Sequence, residues 1–246
     1  FEGVIKTKGE LYDYLRERKD STIFIHHDNL YLRNIAWGLN QISYGSEDEL
    51  YINGHVTGNS PYLTFEWKAG KDGEHHEVKT QLIGEYNFAN ALAAVTIGHF
   101  FDVESGKIDT ALKEYTPQNN RSQLKQTADN TLIIDAYNAN PTSMQASISN
   151  FHNMEIDNKM LILGDMRELG KDGPEEHQKI VDFLTECGFK DVMLVGEQFA
   201  AARHDFPTYP DAPAVIEAIQ KNKPHGKTIL IKGSNGIKLS TVIDYL

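Results

Sequence analysis

Apolar and polar positions change their period near residue 117. In residues 8–18, Leu11, Tyr14 and Leu15 recur at helical spacing, and residues 22–26 form a short apolar run that predicts a buried strand. Residues 53–81 predict an antiparallel ribbon, because Tyr62, Thr64 and Glu66 alternate with Leu63, Phe65 and Trp67. The turn Gly70-Lys71-Asp72-Gly73 then leads into an extended stretch at 77–82. A helix is expected from about Asn87, with Phe88, Leu92 and Val95 on one face, and another over 107–115.

The second half alternates differently. Short apolar runs at 131–135, 160–164, 192–196 and 229–233 each end in Gly or Asp, with amphipathic stretches between them. Pro141 opens one predicted helix, with Asn140 as its N-cap and Met144, Ile148 and Phe151 as its buried stripe. Pro174 opens the next, with Glu175 and Glu176 in the first turn and His177, Ile180, Val181 and Leu184 on one face. Strands buried on both faces and joined by crossover helices predict an α/β fold with a doubly wound parallel sheet. Residues 117–120 read as a linker, which places the domain boundary between 1–117 and 118–246. No internal repeat or low-complexity tract is visible.

Composition narrows the function classes. Apolar residues make up 40% and charged residues 24%, enough for a real core. With 24 basic and 35 acidic residues the net charge is −11, which disfavours nucleic acid and anionic lipid as partners. A polyanionic ligand would need a local site. Cys187 is the single cysteine, which excludes an intramolecular disulfide and suits a reducing, cytoplasmic setting. No secretory address is seen, and the apolar runs are far too short for membrane insertion. The chain begins with Phe and enters a helical pattern almost at once, as a piece of a longer polypeptide would.

Parallel sheets gather ligands at the carboxyl ends of their strands, which points to four segments. Asp135-Ala136-Tyr137-Asn138-Ala139-Asn140-Pro141 offers a carboxylate and amides suited to a ribose diol and a base, although a capped strand-to-helix turn has the same composition. Asn87 and Asn90 share a helix face near free backbone N–H groups that suit an anion, or they are ordinary polar residues at a helix start. Residues 163–170, with Asp165, Arg167 and Glu168, form a charged loop that either holds substrate or exposes a solvated pair. Lys232-Gly233-Ser234-Asn235-Gly236 presents a hydroxyl and backbone donors after the last strand. No Gly-x-x-x-x-Gly-Lys-Ser/Thr occurs anywhere in the 246 residues. His75-His76 reads as solvated, not metal-bound.

Together the segments are more specific than any one alone. Asn-Arg-Ser at 120–122, Asp-Ala-Tyr-Asn-Ala-Asn-Pro-Thr-Ser-Met at 135–144, Leu-Gly-Asp-Met-Arg-Glu-Leu-Gly at 163–170 and Lys-Gly-Ser at 232–234 resemble, in order and spacing, Mur ligases of the MurF type. Those are the UDP-N-acetylmuramoyl-tripeptide:D-alanyl-D-alanine ligases of peptidoglycan synthesis. The run at 86–94 resembles the family's His-Asn-x-x-Asn helix, with Tyr86 in the His place. The resemblance covers essentially the whole chain. It implies the later part of a central ATPase domain followed by a C-terminal Rossmann-like domain, without the N-terminal domain and the P-loop.

The activity implied is an ATP- and Mg²⁺-dependent joining of D-Ala-D-Ala to UDP-N-acetylmuramoyl-tripeptide through an acyl phosphate, with the isolated chain inactive and the enzyme a monomer. By the same resemblance Arg121 reaches the nucleotide phosphates, Asp135 binds ribose, and Asn87, Asn90, Asn138 and Tyr137 contact nucleotide. Lys8 aligns with the lysine that is carbamylated to hold Mg²⁺, and is otherwise a surface lysine. Asp165, Glu168, His177 and Ser234 fall in loops facing the incoming dipeptide. A noncatalytic nucleotide-binding or interaction module on the same sheet is the rival from another class.

Overall fold

The N-terminal half pairs its strands both in parallel and in antiparallel fashion. In the computed structural model, which describes residues 2–118 and 120–246, α1 (Glu2–Arg16) leads into β1 (Thr22–His26), α2 (Leu30–Ile35) and β2 (Asn40–Gly45). β3 (Ile52–Asn59), β4 (Tyr62–Ala69) and β5 (His76–Ile83) follow, then α3 (Phe88–Phe100) and α4 (Ser105–Glu114). The sheet order is β1-β2-β3-β4-β5, parallel through β3 and antiparallel between β3 and β4. Along β4, Leu63, Phe65 and Trp67 are buried, in the alternation expected of a strand with one face on the core. Leu92 and Val95 of α3 are also buried, and Phe88 meets Phe65 edge to face.

Three details differ from the sequence reading. β2 and α2 were not foreseen; Asn-Gln-Ile-Ser-Tyr-Gly has only two apolar side chains and no alternating burial, and its strand exists through pairing with β1 and β3. In α1 it is Tyr12 and Leu15 that pack on Ile23, Ile25 and Ala36, while Leu11 and Tyr14 face solvent. His76 is not solvated: its Nδ1 donates to Asp109 Oδ2 at 2.8 Å, its ring stacks on Trp67, and Trp67 Nε1 donates to Asp109 Oδ1 at 2.8 Å.

The second half comprises β6 (Gln123–Gln126), β7 (Thr131–Asp135), α5 (Pro141–Asn153), β8 (Lys159–Gly164), α6 (Gly173–Glu186), β9 (Val192–Val195), α7 (Glu197–Ala201), β10 (Thr208–Tyr209), α8 (Ala212–Lys221) and β11 (Thr228–Lys232). Its sheet order is β10-β9-β8-β11-β7-β6, parallel except for the β6–β7 hairpin. β6 was not foreseen, since Gln-Leu-Lys-Gln has no buried residue. Asn140 caps α5 by accepting from Ser143 N at 2.8 Å. One face of the sheet, including Leu132, Ile134, Ile162, Ile229 and Ile231, packs with Val215 and Ile219 of α8 and with Val242 of the C-terminal 3₁₀ segment.

By contact, the chain divides into two compact units, Phe1–Gln81 with Glu85–Tyr115 and Leu82–Gly84 with Thr116–Leu246. In the second unit β11, last in the chain, lies between β7 and β8, so the direction of winding reverses there. Crevices outside the carboxyl ends of strands at such a point are where open α/β sheets bind ligands. Among the described residues, no helix is long and apolar enough to cross a membrane.

Candidate functional site

At the carboxyl end of β7, Asp135 faces Lys232 of β11 directly, the two being register partners in the parallel pair. Lys232 is only 1% exposed, and its Nζ donates to Asp135 Oδ2 at 2.6 Å and to the Asn138 carbonyl at 3.4 Å. Ser147 of α5 donates to the same Oδ2 at 3.1 Å. A buried ammonium is tolerable only when paired and hydrogen-bonded in this way. Two donors fix one carboxylate oxygen, which orients Oδ1 as the acceptor left for a ligand. Lys232 as the partner of Asp135 was not read from the sequence. The available signal was a lysine just before the Gly that closes one apolar run and an aspartate closing another.

Beyond β8, the loop Asp165–Gly170 meets the N-terminus of α7 and the turn after β11. Asp165 accepts from Gln198 N and Phe199 N, both at 3.0 Å, so both of its oxygens are occupied by backbone donors. Gly196 makes this possible: its φ is +120°, and a Cβ there would stand 2.2 Å from Asp165 Oδ2. His177 is wholly buried; its Nε2 accepts from Met166 N at 3.0 Å and its Nδ1 donates to Gly173 O at 2.7 Å. That pattern fixes the Nδ1–H tautomer, so the 3.5 Å approach of Nε2 to Asp165 Oδ1 is not an ion pair. Ser234 Oγ accepts from Arg167 N at 2.8 Å, and Ser234 N donates to Asp165 O at 3.2 Å.

Asp165, His177 and Ser234 therefore hold the loops together with their own polar atoms. The loops enclose a cavity of about 390 Å³, whose lining includes Asp165, Arg167, Glu168, Glu197, Gln198 and Ile237. Glu168 is exposed on the cavity with φ of +76°, a conformation uncommon for a residue other than glycine.

Arg121 lies between Asn120 and Ser122, which have φ of +57° and +47°. Asn120 O accepts from Ala136 N at 2.9 Å, which ties the segment to the end of β7. The Arg121 guanidinium stacks on the Tyr137 ring, with Cζ 3.7 Å from the centroid. Tyr137 and Asn138 are exposed beside Asp135. In the first unit, Asn90 Nδ2 donates to Asn87 Oδ1 at 3.4 Å, so both lie on one face at the start of α3. Lys8 stands exposed on α1. Among the described residues, no group of three His, Cys, Asp or Glu is placed to hold a metal ion.

The profile of the Mur ligase middle domain matches residues 1–98, and that of the Mur ligase glutamate ligase domain matches residues 120–235. The UDP-N-acetylmuramoyl-tripeptide--D-alanyl-D-alanine ligase of Bacillus subtilis (strain 168) is 27% identical over 98% of this chain and 54% of its own length. Its namesake in Escherichia coli (strain K12) is 27% identical over 98% of this chain and 55% of its own length. The chain thus spans about half the length of these relatives. The crystal structure of MurF from Acinetobacter baumannii superposes with a TM-score of 0.81 at 23% identity, over 99% of this chain and 55% of that one. MurF ligase from Thermotoga maritima in complex with ADP superposes with a TM-score of 0.76 at 16% identity, over 93% of this chain and 53% of that one. At such identities the superpositions show a common fold. The profiles show descent as well, and with its middle and glutamate ligase domains this chain belongs to the Mur ligase family.

Proposed function

We propose that this chain forms the nucleotide- and acceptor-handling part of a cytoplasmic ATP-dependent ligase that joins D-Ala-D-Ala to UDP-N-acetylmuramoyl-tripeptide in peptidoglycan precursor synthesis. The observation that carries this reading is that relatives bearing the ligase's name align along 98% of the chain. Residues 1–117 would be the later part of the central ATP-binding domain, and residues 118–246 the C-terminal domain.

A carboxylate is a poor electrophile, and ATP supplies the phosphoryl group that turns its oxygen into a leaving group. The acceptor amine then attacks the acyl carbon and loses a proton, and phosphate leaves. This chain's contribution is binding and charge. Asp135, held through Oδ2 by Lys232, offers Oδ1 to the ribose diol. Asn138 and Tyr137 lie beside it. Within the first unit, Asn87 and Asn90 share one face at the start of α3 and are proposed separately as nucleotide-contacting residues. Arg121, stacked on Tyr137, is the cation that offsets phosphate charge. The cavity beyond β8 takes the acceptor dipeptide: Glu168 faces it, while Asp165, His177 and Ser234 set its shape. Lys8, the residue that a carbamate would convert into a Mg²⁺ ligand, is exposed, and among the described residues no group of three His, Cys, Asp or Glu accompanies it, so no step is assigned to the metal.

The test is phosphate release in the ligase carrying this chain, dependent on both peptide substrates. Arg121→Ala should lower kcat, because charge develops at the phosphates during reaction, whereas Asp135→Asn should raise the KM for ATP by about tenfold or more through the lost ribose contact. Near-normal kinetics for both variants, at a temperature where they stay folded, would refute the reading. The 246 residues by themselves, having no P-loop motif, should release no phosphate above a no-protein control.

A further inference from the structure

We propose that Arg167 reads the free carboxylate of the incoming peptide, so that this chain selects acceptors with an unblocked C-terminus. The inference rests on assigning the 390 Å³ cavity to the acceptor.

Arg167 combines a fixed stem with a free head. Its backbone N–H is held by Ser234 Oγ at 2.8 Å, yet among the described residues its guanidinium makes no hydrogen bond or ion pair. The head is nevertheless seated. A Cβ built on Gly236 would stand 2.6 Å from Arg167 Nη1 and 3.2 Å from Cδ and Cζ, so the guanidinium rests against the bare Cα of Gly236. A planar fork of N–H donors, supported by backbone and facing a cavity, matches the bidentate geometry of a carboxylate.

The rest of the lining decides the class of ligand. Glu168 and Glu197 are exposed on the same cavity, and the Asp165 carboxylate is consumed by the backbone donors of α7. The acids on the lining repel a polyanion such as a nucleotide phosphate chain, which a single cation cannot neutralise. It accepts a small ligand with a single carboxylate and a neutral or cationic remainder, which is the chemistry of a dipeptide.

The experiment is calorimetric titration of the chain with D-Ala-D-Ala and with its C-terminal amide. The chain should bind the acid roughly tenfold or more tightly than the amide, the scale of one charge-assisted contact at a half-open site. Arg167→Gln should bind both forms alike, with the affinity of the amide. Gly236→Ala keeps the charge but lifts the guanidinium from its seat, and should lose part of the preference; an unchanged preference would show that position is immaterial and overturn the seating argument. If Arg167→Gln keeps the preference for the acid, or the unaltered chain shows none, the role of Arg167 is refuted while the cavity keeps its assignment. If the unaltered chain binds neither form, the acceptor assignment falls and this inference falls with it.

Discussion

Replacing Lys232 by Met tests how the end of β7 is held. At 2.6 Å and an effective dielectric constant of about 20, the Lys232–Asp135 attraction amounts to roughly 6 kcal/mol before desolvation is subtracted. Breaking a buried pair from one side typically costs about 3–5 kcal/mol, because the remaining charge is stranded. The two sides are unequal here. The Lys232 side chain is 2% exposed and that of Asp135 15%, and Asp135 would still accept from Ser147. Lys232→Met should therefore cost about 3 kcal/mol and Asp135→Asn about 4, while the double variant should cost less than their sum by about 3 kcal/mol. Urea unfolding followed by far-UV circular dichroism would show the single variants' midpoints falling by about 1–3 M. Trp37 and Trp67 both lie in the first unit, so their fluorescence reports separately on that half. A coupling energy below about 0.5 kcal/mol, or Lys232→Met costing more than Asp135→Asn, would refute the reasoning.

Three further outcomes are expected. Gly196→Ala forces an L side chain to φ +120° and into the Asp165 carboxylate, and should destabilise the second unit by about 3 kcal/mol or more in thermal melts; a melting temperature within a degree of the parent chain would contradict it. His177→Ala removes the acceptor of Met166 N, the donor to Gly173 O and the ring set edge-on against Phe199, at a cost of about 3 kcal/mol, and hydrogen exchange at Met166 should quicken. Lys223, hydrogen-bonded at 2.8 Å to Asp129, holds that carboxyl below its ordinary value of 3.8, with help from His225. A lowered folded-state value stabilises above the ordinary value and loses its effect as pH falls through the folded one. Asp129→Asn should accordingly be less stable than the parent at pH 7, with the difference closing as pH drops below 3.8 in a pH series of melts.

The second unit was largely legible because its signals are local. A parallel strand buried on both faces is an apolar run wherever it lies in the sheet, and β7, β8, β9 and β11 were read within a residue or two. Asn140 and Pro141 mark the start of α5 by their own chemistry, and the helical stripe of His177 with Ile180, Val181 and Leu184 already implied burial. β2 and β6 escaped because their polar residues are strands only through their neighbours. The candidate site divides along the same line. Which segments bear the chemistry is written in the chain, but what each side chain does was decided by contacts between distant residues. Asp135 and Lys232 are 97 positions apart and meet because β11 inserts beside β7 in one register. Asp165 spends its carboxylate on α7, more than 30 residues on, because Gly196 lets the two come close. Periodicity reports how much of a residue is buried; strand order and register, set by packing of whole faces, determine what it is buried against.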